Sequence, residues 1–142
     1  MAKMTRDEAL AFIAAMPART AKVATVLDDG SPHVAPVWVA LDGDDIMFNT
    51  GAATLKGRSL LRDPRVSMCF DDEAPPFAFV VVKGLVTLSE DPDELIRWAT
   101  IIGGRYMGAD RAEQYGLRNG VPGELLVRVT PSKIVAVRDL AD

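Results

Sequence analysis

The sequence predicts a mainly β protein: a small closed antiparallel barrel of six or seven strands with three or four short helices on its flanks. Three observations carry this expectation. The first three strand-like runs are joined by two short acidic turns containing glycine, which makes a meander and not a βαβ unit. The run from Phe77 to Leu88 is long and mostly apolar, as expected of a strand covered on both faces. The helical patterns are few and short. At 142 residues the chain is expected to form one domain, 1–142, large enough for a single core.

Taken in order, Thr5-Arg6-Asp7-Glu8 reads as a capping box that opens a helix from about Asp7 to Met16, stopped by Pro17. Ala21 to Leu27 is a strand, Asp28-Asp29-Gly30-Ser31 a hairpin turn, and His33 to Leu41 the return strand. Asp42-Gly43-Asp44 turns the chain into a third strand, Ile46 to Thr50. A basic helix starting near Thr54 ends before Pro64, and Val66 to Phe70 follows as a strand. Beyond the turn at Asp71 to Pro76 comes the long strand, in which Gly84 marks a bulge or a close backbone approach. Asp91 and Pro92 open a helix with Leu95, Trp98, Ala99 and Ile102 at helical spacing; Gly103-Gly104 weaken its continuation. A short helix near Asp110 to Tyr115, a loop from Gly116 to Gly123, and strands Glu124 to Val129 and Lys133 to Val137, hinged at Pro131, complete the chain.

Composition excludes several functions. Apolar residues make up 49% and charged residues 25%, with a formal net charge of −4, which argues against a nucleic-acid module. One cysteine, Cys69, and one histidine, His33, leave no disulfide framework and no zinc site, so no metal is expected. No apolar run reaches the roughly 18 residues that span a membrane. The apolar run Ala9 to Met16 follows Asp7 and Glu8 and is a helix, not a signal peptide. A cytoplasmic location follows as the expectation.

Against this acidic background, Thr54 to Val66 carries four basic residues and one acid. A helix start offers free N–H groups and a positive dipole end to a phosphate, and Lys56 and Arg58 would add mobile donors. The alternative is a solvated basic face. Nucleophilic catalysis has no support: no serine or cysteine sits in a nucleophile context, and Cys69, between Met68 and Phe70, reads as a core thiol. Gly51 to Gly57 is no phosphate loop of the P-loop type, and there is no dinucleotide fingerprint. A phosphate seat without a catalytic group suggests that a bound cofactor supplies the chemistry.

Three segments carry a resemblance that spans nearly the whole chain. They are Thr25 to Trp38; Phe48-Asn49-Thr50 followed by Lys56, Arg58, Leu61 and Arg62-Asp63-Pro64-Arg65-Val66; and Lys83-Gly84. In this order the chain resembles the pyridoxamine 5'-phosphate oxidase-like, FMN-binding-like split β-barrel family. Ile102 to Gly108 with Glu113-Gln114-Tyr115 is most similar to its short actinobacterial, deazaflavin-dependent group, which uses coenzyme F420.

The resemblance implies a homodimer with two cofactor sites between subunits, and reduction of a small organic molecule by hydride transfer. It implies that Lys56 contacts the phosphate or carboxylates of the cofactor, with Leu55, Arg58 and Ser59 beside it and Asn49, Thr50 and Gly51 lining the phosphate end. His33, Val34, Ala35, Pro36 and Val37 would lie against the ring, and Phe77, Ala78 and Phe79 would reach over from the partner subunit. Tyr106, Tyr115 and His33 are candidate proton donors, each with a structural alternative, and Trp38 could wall the substrate side. Thr54 departs from relatives that carry a basic residue there. An FMN-dependent oxidase or reductase, with FMN as cofactor, is the alternative on the same fold; a non-catalytic cofactor carrier and a structural dimer are the others.

Overall fold

The computed structural model describes residues 1–142, and its elements follow from the local signals. Thr5 caps α1 (Arg6–Ala14), its hydroxyl accepting from the Glu8 N–H at 3.1 Å. Strands β1 (Ala2–Lys3), β2 (Ala21–Val26), β3 (Pro32–Val37), β4 (Ala40–Asp42) and β5 (Asp45–Gly51) are followed by α2 (Leu55–Arg62). The turns before β3 and β5 place Gly30 at φ 84° and Gly43 at φ 60°, a backbone region that costs glycine nothing. Next come β6 (Arg65–Asp72), β7 (Ala78–Ser89), α3 (Pro92–Met107), α4 (Ala112–Asn119) and β8 (Glu124–Arg138). Asp91 caps α3 by accepting from the N–H groups of Asp93 and Glu94.

The strands form one sheet in the order β3-β2-β6-β7-β8-β5-β4, with β1 added on β8; every pairing is antiparallel. The two ends of this path, β3 and β4, are consecutive in sequence and are joined through Trp38 and Val39 and not by a ladder. The barrel is therefore split at this seam. Alternating side chains fill its interior: Val66, Met68 and Phe70 from β6, Val80 and Val82 from β7, and Leu125, Val127 and Val129 from β8. Ile46 and Phe48 join them from β5, each such side chain contributing about 1.5–3 kcal/mol on burial. A second cluster outside the barrel packs Leu95, Trp98 and Ile102 of α3 against Ala40, Met47 and Leu126.

The structure corrects the sequence at five points. The return strand expected over His33 to Leu41 breaks at Trp38–Val39, where the chain crosses the seam. Gly103 and Gly104 do not weaken α3, which runs on to Met107. A Cβ at Gly103 would lie 2.4 Å from the Cβ of Tyr115, so glycine lets α4 pack close. Gly116 lies within α4, its missing Cβ making room for the Thr100 hydroxyl, and helix continues to Asn119 where a loop was expected. The two final strands are one, β8, with a register shift at Lys83/Gly84 near Pro131. A Cβ at Gly84 would meet the Thr130 carbonyl at 2.6 Å, which explains the expected irregularity there. The fifth is β1, whose two residues pair with Arg138 and Val137.

Candidate functional site

The chain leaves β5 and enters α2 through a loop closed on itself by Thr54. The Gly57 N–H donates to the Thr54 hydroxyl at 3.0 Å, and that hydroxyl donates to the Gly51 carbonyl at 2.7 Å. With its proton so committed, it accepts from Thr50 at 3.3 Å. A Cβ at Gly57 would lie 2.1 Å from the Gly51 carbonyl oxygen, so only glycine permits this closure. The Arg58 N–H bonds the Thr54 carbonyl at 2.9 Å. The N–H groups of Leu55 and Lys56 have no acceptor within the chain, as expected in a first helical turn.

Beside this turn lies a cleft of about 310 Å³. The end of β3 supplies Pro36 and Val37, the seam Trp38, β5 Asn49 and Thr50, and α2 Lys56. Ile102 of α3, Asn119 of α4 and Glu124 of β8 complete it. Its lining combines polar groups with the apolar Trp38 and Ile102. The Asn49 amide nitrogen is buried without a hydrogen-bond partner, an uncommon state for a donor and one that a ligand acceptor would relieve. Burial pushes the Glu124 carboxyl above the usual carboxylate range, partly opposed by the charge of Lys56.

Trp38 is held from behind. Its ring stacks on Tyr106 at 5.2 Å with an interplanar angle of 6°, and Tyr115 meets it edge-on at 5.7 Å. The Tyr106 hydroxyl accepts from the Val39 N–H at 3.1 Å and donates to the Arg19 carbonyl at 2.6 Å, and burial pushes its pKa up. The buried Tyr115 hydroxyl accepts from Arg111 at 3.4 Å. Both phenols thus stand behind the indole, with Tyr106's proton already engaged. His33 is opposite Thr25 in the β2–β3 ladder, and the His33 Nδ1 and Thr25 Oγ1 are both buried without partners.

The expected cofactor residues fall on three surfaces. Pro36, Val37, Asn49, Thr50 and Lys56 converge on the cleft, with Gly51 beside Glu124. Leu55, Arg58 and Ser59 line a second depression of about 360 Å³ on the other side of α2, with Asp28, Asp29 and Arg62. Residues two apart on a helix do not face each other, so Lys56 and Arg58 serve different surfaces. Arg62 there pairs with Asp28 and bonds the Val26 carbonyl. Val34 stands on the open outer face of β3, 64% exposed, while Ala35 is half-buried.

Phe77, Ala78 and Phe79 line a third depression of about 640 Å³, with Lys22, Cys69 and Asp71. Phe77 has φ 64°, a strained conformation for a bulky residue, and its carbonyl accepts from the Leu140 N–H at 3.1 Å. The outer faces of β6, β7 and β8 continue this surface in two rows, Cys69–Val81–Val135 and Asp71–Phe79–Val137. Glu124 and Asn119 were not foreseen as site residues. Neither lies in a motif; only the pairing of Gly51 with Glu124 and the fold of α4 bring them in.

These features define a class: a split antiparallel barrel with a lysine-lined cleft at a helix start, next to an edge strand. The chain belongs to the pyridoxamine 5'-phosphate oxidase family, which it matches over residues 5–138. Oxidoreductases that bind flavin-type cofactors make up this family. The conserved protein Rv2991 of Mycobacterium tuberculosis is 26% identical, with a TM-score of 0.82 over 98% of this chain and 89% of its own. A coenzyme F420 reductase is 27% identical, with a TM-score of 0.65 over 82% of this chain and 88% of its own. A FAD-binding protein of Mesorhizobium loti shares the fold at 17% identity, with a TM-score of 0.70 over 95% of each chain. No curated protein sequence matches the chain.

Proposed function

We propose that the protein is a deazaflavin-dependent reductase that takes coenzyme F420 in the Lys56 cleft and reduces a small, flat organic molecule. The observation that carries this reading is the cleft itself. Lys56 and Asn49, whose buried amide nitrogen has no partner, line it beside the apolar Trp38 and Ile102, and the first turn of α2 adjoining it has two free N–H groups. The likeness to a coenzyme F420 reductase supports the deazaflavin over FMN.

When bound, the coenzyme supplies a hydride; the chain binds, orients and excludes water. Lys56 and the first-turn amides would hold the phosphate end, and the unpartnered Asn49 amide would supply a further donor. Val34 and Pro36, on the exposed face of β3, would offer the ring a flat apolar surface. Trp38, braced by Tyr106 and Tyr115, walls the acceptor side, and a fixed donor–acceptor geometry supplies the rate.

The cleft is open on its outer side, and a second copy of the chain would cover it. Support comes from the outer face of β6–β8, where Val135 is 43% exposed, and from Phe77 just before β7, 40% exposed. In a homodimer the partner's Phe77, the partner's Ala78 and the partner's Phe79 would close the site. A single free cysteine, Cys69, suits the cytoplasm.

Titration of the purified protein with coenzyme F420 and with FMN, followed by fluorescence, tests the reading. Binding of the deazaflavin with turnover of a quinone or enone is the expected result. Lys56→Ala should weaken cofactor binding about 10- to 150-fold, the equivalent of one charge-assisted contact of about 1.5–3 kcal/mol. Unchanged affinity in this variant would refute the anion seat, and tighter binding of FMN would make the protein a flavin enzyme.

A further inference from the structure

The cleft holds two unpaired groups of opposite charge, Lys56 and Glu124. Glu124 opens β8 directly across the ladder from Gly51. Because Gly51 has no side chain, Glu124 Oε2 comes within 3.4 Å of the position its Cβ would take. The carboxyl thus lies against the loop that delivers the first turn of α2. It makes no salt bridge, with Lys56 or with any other residue. The charged groups around it are Lys56 from α2 and Glu90, which shares the depression on its other side; Asn49, Thr50 and Asn119 are neutral. A carboxylate at the mouth of an anion seat opposes the anion. As a neutral acid it opposes nothing and gains a hydrogen to donate.

Resting on the cofactor reading above, we propose that Glu124 sets the ligand charge the cleft accepts: a phosphate-bearing ligand held by Lys56 enters with Glu124 as the neutral acid, and binding takes up one proton from solvent. In the free cleft the nearby charge of Lys56 favours the Glu124 carboxylate without pairing with it. Its burial already favours the acid, and the arriving phosphate pushes the same way. The sign follows from linkage. A group whose pKa is higher in the complex than in the free protein makes affinity greatest below the free value. Affinity then falls about tenfold per pH unit until the complex's own value is passed.

The test compares wild type with Glu124→Gln, which imitates the neutral acid, in titrations with FMN and with coenzyme F420 from pH 5.5 to 8.5. The second ionisation of a phosphate monoester, near pH 6, is common to both proteins and cancels in the ratio of their dissociation constants. That ratio should rise with pH in favour of Glu124→Gln, by more than about twofold across the range. Calorimetry of the wild type in two buffers of different ionisation enthalpy should show proton uptake at pH 7 beyond the ligand's own, and this readout needs no variant. A ratio flat within twofold, or no such uptake, overturns the proposal. If Lys56→Ala weakens binding while the ratio stays flat, Glu124 alone is misassigned. If Lys56→Ala binds as tightly as wild type, the cofactor reading fails and this inference falls with it.

Discussion

Replacing Tyr106 with phenylalanine removes one oxygen that ties three parts of the chain together. The hydroxyl on α3 accepts from Val39 in the seam and donates to Arg19 ahead of β2. Val39 is 0% exposed, so its orphaned N–H finds no water, at a cost of about 1–3 kcal/mol. The half-buried Arg19 carbonyl recovers a water and loses about 0.5–1.5 kcal/mol net. The stack on Trp38 survives, since the ring is unchanged. The expected loss is therefore about 1.5–4.5 kcal/mol, or about 5–15 °C in Tm for a domain of this size. Urea unfolding of Tyr106→Phe, followed by tryptophan fluorescence, should show a lower midpoint at an unchanged slope. Cofactor affinity of the folded variant should stay close to wild type. A loss below about 0.5 kcal/mol together with abolished turnover would refute this reasoning and make Tyr106 a proton donor.

Three further outcomes follow from the same coordinates. Gly57→Ala places a methyl group 2.1 Å from the Gly51 carbonyl. The Thr54 closure must open, destabilising the fold by about 1–3 kcal/mol and weakening cofactor binding in fluorescence titration; wild-type affinity would show that the closure is irrelevant to the seat. Val135→Asp puts a charge in the Cys69–Val81–Val135 row. In the proposed dimer it should raise the dissociation constant at least about 150-fold, equivalent to about 3 kcal/mol for an unpaired buried charge. Sedimentation that still shows a dimer at micromolar concentration would exclude this face as the interface. The Arg65 guanidinium and N–H, both bonded to Asp63, hold its carboxyl at about 2. Its folded-state pKa is depressed, so its contribution is present above the ordinary Asp value and disappears as pH falls through about 2. Arg65→Ala should return the Asp63 carboxyl signal, followed by NMR, toward its ordinary titration range, and no movement would sink the assignment.

The meander was legible because its turns need glycine at positive φ, at Gly30 and Gly43, and because Thr5 and Asp91 announce their helices. The glycines in the C-terminal half misled for the same reason that they matter. Gly103 and Gly116 read locally as helix breakers, yet each lies where α3 and α4 approach too closely for a Cβ. That approach exists only once both helices are paired. The break at Trp38–Val39 was equally hidden, since both residues are good strand formers and the interruption is imposed by closing the sheet around them. At the site, Lys56, Asn49 and Thr50 sit near one another in sequence and were found together. Arg58, expected beside Lys56, lines the depression on the other side of α2, a separation that helical projection of the sequence already allowed. Glu124 needed the β5–β8 register, which no local pattern encodes.

Charge counting also misjudges the seat, and the structure shows why. Of the four basic residues between Thr54 and Val66, Arg62 is bound to Asp28 and Arg65 to Asp63. Arg58 faces the second depression, so Lys56 alone brings a full positive charge to the cleft, with Glu124 opposite. While Glu124 is a carboxylate, net charge therefore adds little attraction at the seat itself. Affinity for a phosphate must come from aimed donors: the Leu55 and Lys56 N–H groups, the Asn49 amide and the lysine ammonium. Directed hydrogen bonds to a partly desolvated anion are screened far less than exposed charges a Debye length apart, about 8 Å at physiological salt. An acidic protein can thus hold an anionic cofactor, because the closure of Thr54 over Gly51 and Gly57 fixes where those donors point.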